Sequence, residues 1–233
     1  MKRVLYFLIV LFLYSMPSYA QGRQGKNESN FVVKAGINFS NITVTDNGSI
    51  DKANALTGFH AGLLVDLPLA SFFSFQGGLL FTVKGAKTEI NADSVYSKVK
   101  TTSNPLYIEI PLNLVAKIPI GFAKLIVGVG LYGAIGITGK NNVEIQLTNS
   151  ASTYSNKDIV FDGDSNAIPS RYGFGNLKRF DYGANVLAGL ELTRFTMTAN
   201  YGIGFTNINL GSSNTMNDKY KYRVLSFSLG IKI

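Results

Sequence analysis

The chain has 233 residues and a formal charge of +8, with 46% apolar, 12% aromatic and only 15% charged residues. That length suits one domain, and the aromatic and apolar content excludes a disordered chain. The absence of cysteine excludes disulfides and a lipoprotein anchor and argues against zinc. With no basic helix or aromatic-interleaved basic cluster, the positive charge points to an anionic surface such as lipid headgroups or lipopolysaccharide, and away from nucleic acid.

Residues 1–20 read as a secretory signal. Lys2 and Arg3 give a basic start, Val4 to Tyr14 an apolar stretch, and Ser18-Tyr19-Ala20 a small-x-small cleavage site. The apolar stretch is short for a spanning helix, which argues against an N-terminal anchor. Residues 21–30 form a polar leader. Residues 31–233 then repeat one phrase eight times, an alternating stretch followed by a turn or loop.

The first predicted strand, Phe31 to Ile42, sets Phe31, Val33, Ala35, Ile37 and Phe39 against Lys34, Gly36, Asn38 and Ser40. Successive strand side chains point to opposite faces, so strict alternation makes one apolar and one polar face. The second, Leu56 to Leu67, alternates Phe59, Leu63 and Val65 with His60 and Asp66. The third, Phe73 to Gly85, opposes Phe75, Leu79 and Phe81 to Ser74, Gln76 and Lys84. The fourth, Leu106 to Lys117, opposes Ile108, Ile110, Leu112 and Leu114 to Tyr107, Glu109, Asn113 and Lys117. The fifth, Ala123 to Thr138, is the most apolar, with glycine and alanine beside Tyr132 on its inner row. The sixth, Phe180 to Leu192, turns Asp181, Asn185 and Glu191 inward, and the seventh, Phe195 to Asn207, turns Thr196, Thr198 and Asn200 inward. The eighth, Tyr222 to Ile233, alternates Leu225, Phe227, Leu229, Ile231 and Ile233 with Ser226, Ser228, Gly230 and Lys232.

The connections alternate between short turns (68–71, 118–122, 193–194) and long loops (43–55, 86–105, 139–179, 208–221). That is the habit of outer-membrane barrels, whose short turns face the periplasm. Shifting any strand's facing by one residue would set Lys34, His60, Asp66, Lys84, Glu109, Asp181, Glu191 or Lys232 against lipid. Lys or Arg at mid-bilayer costs roughly 2–4 kcal/mol. A soluble sandwich or lipocalin-like barrel would place its charges on the other face. Phe and Tyr gather near both ends of the apolar rows, as interfacial girdles do. The expected fold is therefore all-β: an eight-stranded antiparallel up-and-down transmembrane barrel with a polar filled lumen. Its lumen residues should be Lys34, His60, Asp66, Lys84, Glu109, Lys117, Asp181, Glu191 and Lys232, paired to limit the cost of burial. Pro111 cannot donate a ladder bond, which predicts a bulge or a water-satisfied carbonyl there.

His60 is the only histidine, and a metal site would want companions. It reads as a hydrogen-bonding lumen residue and not as a catalytic base. No catalytic residue, metal or cofactor is expected. Asp158, Asp162 and Asp164 in loop 139–179 lack the spacing of a calcium loop. Val143, Ile145 and Leu147 continue the alternation of the fifth strand, which predicts a ribbon projecting beyond the membrane with an edge able to dock a protein. The Asn-x-Ser/Thr triplets at Asn27, Asn41 and Asn47 read as chance.

Several phrases together resemble the PorT-like family of bacterial outer-membrane β-barrels. They are Lys34-Ala35-Gly36-Ile37-Asn38-Phe39-Ser40, Gly58-Phe59-His60-Ala61-Gly62, Tyr107-Ile108-Glu109-Ile110-Pro111-Leu112, Gly128-Val129-Gly130-Leu131-Tyr132 and Leu225 to Ile233. The resemblance implies an eight-stranded outer-membrane barrel, in a family whose founding member is linked to a protein secretion system. The chain lacks the extended N-terminal features associated with that member and ends in Ile233, not in an aromatic residue. The expected function is non-enzymatic: a barrel that scaffolds or binds through long extracellular loops. Its partners would be outer-membrane lipid, lipopolysaccharide, or an envelope or extracellular protein held by loop 139–179. A narrow small-solute channel and a lipid-modifying enzyme are the alternatives.

Overall fold

Dyad alternation of large apolar with small or polar residues builds strands, the only regular elements among the described residues. The computed structural model describes residues 30–46, 49–52, 54–90, 96–147, 150–161, 176–208 and 219–233. The expected signal, nearly all of the leader, and Asp162 and Asp164 lie outside the described residues.

The main strands are β1 (Asn30–Asp46), β2 (Asn54–Pro68), β3 (Phe73–Val83), β4 (Tyr96–Ile120), β5 (Ala123–Leu147), β6 (Phe180–Glu191), β7 (Phe195–Gly204) and β8 (Lys219–Lys232). Each pairs antiparallel with the next in sequence. β8 returns to β1, from Val32 opposite Lys232 to Thr45 opposite Lys219. The pairings thus close a ring through eight strands and leave none of the eight as a sheet edge. Closure removes the unpaired row of N–H and C=O groups that lipid could not satisfy.

The turns at one end are tight. Ile120 pairs with Ala123 across Gly121-Phe122, and Gly121 has φ 64°, at the position where a type II′ hairpin turn takes glycine. Leu192 N–H donates to Phe195 O at 2.7 Å, closing the Thr193-Arg194 turn.

The other end differs from expectation. β4 and β5 run for 25 residues each, more than twice the roughly 9–11 a spanning strand requires. Segment 86–105, expected as a loop, is strand over Ala86–Ile90 and from Tyr96 onward. Ala86–Ile90 pairs with β4, the upper part of β4 with β5, and Lys140 to Leu147 of β5 with Ser150–Asp158. The result is a four-stranded sheet rising from the ring. It includes the ribbon expected from Val143, Ile145 and Leu147.

Side-chain parity divides the wall cleanly. Leu63, Val129, Leu131 and Leu229 stand 55–63% exposed on the outside. Asn38, His60, Asp66, Lys84, Asn113, Asp181, Glu191, Ser226 and Ser228 are buried on the inside. The aromatic ends expected of the outer rows are exposed too, Phe31, Phe73, Phe122 and Phe195 toward the short turns and Phe59, Phe81, Tyr182 and Phe205 toward the other end.

At Pro111 the expected bulge is not found. Gly77 pairs with Leu112 and Leu80 with Glu109, so the register is the same on both sides. Between them the β3–β4 ladder simply omits Gly78 and Leu79 against Pro111 and Ile110. Proline has no N–H to give, and an in-register gap accommodates it without an extra residue. A register shift does fall nearby, between Leu106 and Tyr107, but the extra residue there is Ile137 of β5.

Candidate functional site

The ring encloses stacked layers of side chains. Nearest the short turns, Asp66 comes from β2, Lys117 from β4, Lys124 from β5, Glu191 from β6 and Lys232 from β8. Lys117 pairs with Asp66 and, at 3.0 Å, with Glu191. Lys232 also pairs with Glu191, and the exposed Lys124 approaches it at 3.6 Å. Gln76 donates to Asp66 Oδ2 at 3.1 Å. Two apolar patches follow on opposite walls, Val32 with Leu64 and Leu80, and Val115 with Ile126 and Leu187.

The next layer is neutral. Asn38 Nδ2 donates to Thr82 Oγ1 at 2.8 Å and to the Phe59 and Val83 carbonyls at 3.2 Å. Its Oδ1 must therefore accept, so His60 Nδ1 carries a hydrogen in the 2.7 Å contact between them. His60 Nε2 then accepts from the Ser228 hydroxyl at 2.8 Å. This chain ties β8, β2, β1 and β3 together across the lumen. Gly36 makes it possible, because a Cβ there would sit 2.6 Å from the imidazole Cε1.

Ser228, His60 and Asn38 stand at the distances of a nucleophile, base and orienting group. The adjoining cavity is about 40 Å³, room for about three waters and none for an acyl group. Lys34 and Glu109 line the same cavity. Lys34 makes no ion pair with another described residue.

Beyond lies the second ionic group. The Lys84 ammonium is 2.7 Å from Glu109 and 3.1 Å from Asp181. Tyr132 donates to Asp181 at 3.2 Å, and the ammonium lies 4.3 Å from the Tyr132 ring centroid and 5.4 Å from that of Tyr107. A cation held by two carboxylates and aromatic faces is satisfied on every side.

Above it the lumen is closed. Ile159, Phe161 and Leu177, all from segment 139–179, pack with Ile42, Tyr107, Ile208 and Tyr222 as one buried apolar cluster. Phe161 meets Tyr107 edge-to-face at 5.9 Å. It lies on Gly136, where a Cβ would come within 2.6 Å of its Cζ. Ile159 N–H donates to Gly139 O at 2.9 Å, and Gly136 N–H to Arg179 O at 2.7 Å, so the returning chain is bonded to β5. Part of the segment expected to be a solvated docking loop is therefore a stopper.

The structure thus unites Asp66, Lys117, Glu191 and Lys232, and separately Lys84, Glu109 and Asp181. It leaves His60 in a neutral chain and Lys34 across the cavity from Glu109 without a direct ion pair. The stopper was missed. Ile159, Phe161 and Leu177 lie outside the alternation read at Val143, Ile145 and Leu147, and nothing in their spacing marks them as a unit. Among the described residues no cluster of His, Asp and Glu could hold a metal ion.

An antiparallel ring with apolar residues outside and ionisable groups inside defines an outer-membrane β-barrel. The family model described as Outer membrane protein beta-barrel domain matches residues 19–210, and the chain belongs to that family. Its place is accordingly the bacterial outer membrane. No curated protein matches the chain. Similar solved structures include Ail, the attachment invasion locus protein of Yersinia pestis, at 14% identity and TM-score 0.38, covering 88% of this chain and 99% of that one. Neisserial surface protein A aligns at 12% identity and TM-score 0.40, over 88% of this chain and 99% of its own. OprG from Pseudomonas aeruginosa aligns at 11% identity and TM-score 0.36, over 91% and 99%.

Proposed function

We propose that the protein is an eight-stranded barrel working as a scaffold, which presents the projecting sheet to an envelope or extracellular partner. The observation that carries this reading is the continuation of β4 and β5 past the membrane band, flanked by Ala86–Ile90 and Ser150–Asp158. The strand Ser150–Asp158 has no ladder on its far side among the described residues, and Tyr154 on it is 74% exposed. A free edge offers backbone bonds to an incoming extended segment. The lumen residues act here as a structural plug: paired charges and a neutral tether hold the cylinder rigid under the sheet. The stopper disfavours the channel reading, and the 40 Å³ cavity disfavours acyl chemistry at Ser228. The PorT-like resemblance supports a cell-envelope role, with a secretion machine among the candidate partners.

The test trims residues 142–156 to a short turn and keeps Ile159, Phe161 and Leu177 in place. Partners that co-purify with the full chain from solubilised outer membrane should be lost, while the heat-modifiable mobility of the folded barrel persists. Unchanged co-purification contradicts the scaffold reading.

A further inference from the structure

The outward row of β8 changes character at the end away from the short turns. Above Leu229, Phe227 and Leu225 it continues as Arg223 and Lys221, both half-buried against the wall. Leu225 pairs with Phe39 of β1 and with Tyr201 of β7, and the Phe39 and Phe227 rings meet at 6.4 Å. Ile203, opposite Arg223 on β7, leads on to Phe205, whose ring meets Tyr182 at 6.3 Å. Two cations therefore stand inside the aromatic belt that marks the edge of the hydrocarbon, about 7 and 13 Å along the strand from Leu225 at roughly 3.3 Å per residue.

Their neighbours are arranged to receive an anion. In the β1–β8 ladder Asn41 lies opposite Arg223 and Thr43 opposite Lys221, and side chains so placed are about 4.5–5.5 Å apart. Asn41 Oδ1 accepts from Ile42 N–H at 2.7 Å, which leaves its Nδ2 to donate. Arg223 Nη1 donates to the Tyr222 carbonyl at 3.0 Å and to the Gly204 carbonyl at 3.3 Å. These bonds hold the guanidinium on the wall, where a free side chain of that length would reach up into water. Neither cation makes an ion pair with a described residue, and no acid stands opposite either of them in the printed register with β1 or β7. On the projecting sheet, by contrast, Lys100 stands opposite Glu144 and Lys140 opposite Asp158.

We propose that Asn41, Thr43, Lys221 and Arg223 bind a phosphate of lipopolysaccharide in the outer leaflet. Short turns face the periplasm in such barrels, so this end meets the outer leaflet. Cations at the membrane surface attract anionic headgroups, and a guanidinium can grip phosphate with two parallel bonds. An acidic segment of another protein would have to push between headgroups to reach the belt, whereas a lipid phosphate is already at that depth. The site straddles the seam where the last strand closes on the first, so the bound lipid ties β8 to β1 from outside.

The processed full chain in mild detergent is titrated with bisphosphorylated lipid A and, separately, with lipid A stripped of phosphate. Bound lipid is counted by native mass spectrometry. One bisphosphorylated lipid per chain is expected, with the stripped form at least tenfold weaker. Lys221→Gln combined with Arg223→Gln should weaken the bisphosphorylated lipid about tenfold, equivalent to roughly 1.4 kcal/mol, and leave the stripped form unchanged. Lys100→Gln combined with Lys140→Gln should change nothing, and inorganic phosphate at the lipid's concentration should not displace it. Heat-modifiable mobility confirms that each variant is folded, and the comparison of the two lipids needs no variant. Equal binding of the two lipids, an unaffected Lys221 and Arg223 variant, an equal loss in the Lys100 and Lys140 variant, or displacement by inorganic phosphate would each overturn the proposal.

Discussion

Lys84→Met removes the cation between Glu109 and Asp181 and keeps most of the side chain's volume. Lys84 and Asp181 are each 2% exposed, and the ammonium lies 2.7 Å from one carboxylate and 3.1 Å from the other. Without it, two acids face each other in the closed upper lumen, and Asp181 keeps only the Tyr132 hydroxyl as a donor on Oδ2. Breaking a buried pair by removing one partner costs about 3–5 kcal/mol, mostly through the charge left behind. The expected loss is of that order. It is measured by urea unfolding of the vesicle-inserted barrel, followed by heat-modifiable mobility. The same reasoning gives a rescue: Lys84→Met with Glu109→Gln and Asp181→Asn removes the orphaned charges and should recover more than half of the loss. A single variant that loses less than about 1 kcal/mol, or a triple variant no better than the single, would refute the reasoning.

Gly136→Val should push Phe161 off its seat, because the new side chain would overlap the ring. Limited proteolysis should then cut segment 150–179 much faster while the membrane-embedded strands stay protected. His60→Ala leaves Asn38 Oδ1 and the Ser228 hydroxyl without their shared partner, a loss of about 1–3 kcal/mol in the same urea assay; wild-type stability would remove the tether. Planar-bilayer recording of the intact chain should show no discrete conductance, since apolar residues close the upper lumen. Steady single-channel steps would contradict the stopper.

The strands were legible because the bilayer imposes a strict rule on each of them. One face can carry no charge, so Lys34, Asp66 and Glu191 fix the facing of β1, β2 and β6 without knowledge of any partner strand. Beyond the membrane the rule lapses. Thr101 and Ser103 share a face with no need to be apolar, so the top of β4 reads as loop. Ion pairing was legible only as a set of inward charges. Which acid meets which lysine depends on how far each strand is staggered against the next, and alternation carries no information about stagger. Lys84 thus meets Asp181 across 97 residues of chain. The stopper was hidden for a similar reason. Ile159, Phe161 and Leu177 have no period of their own, and their partners Tyr107, Ile208 and Tyr222 are distant in the sequence. Pro111 taught the opposite lesson. A local rule foresaw a missing donor, and the structure answers it with a gap in the ladder and not with an extra residue.

The arrangement stands on hydrocarbon outside and ionisable groups inside, and the chain is suited to a direct test because it has no cysteine. Nitroxide labels placed by Leu63→Cys, Val129→Cys and Leu229→Cys in the vesicle-inserted protein are compared for collision with oxygen and with a water-soluble nickel chelate. All three should favour oxygen strongly, as sites in the bilayer core do. Ready access of the nickel chelate to Leu63→Cys and Val129→Cys would place those residues in water and contradict the barrel's orientation.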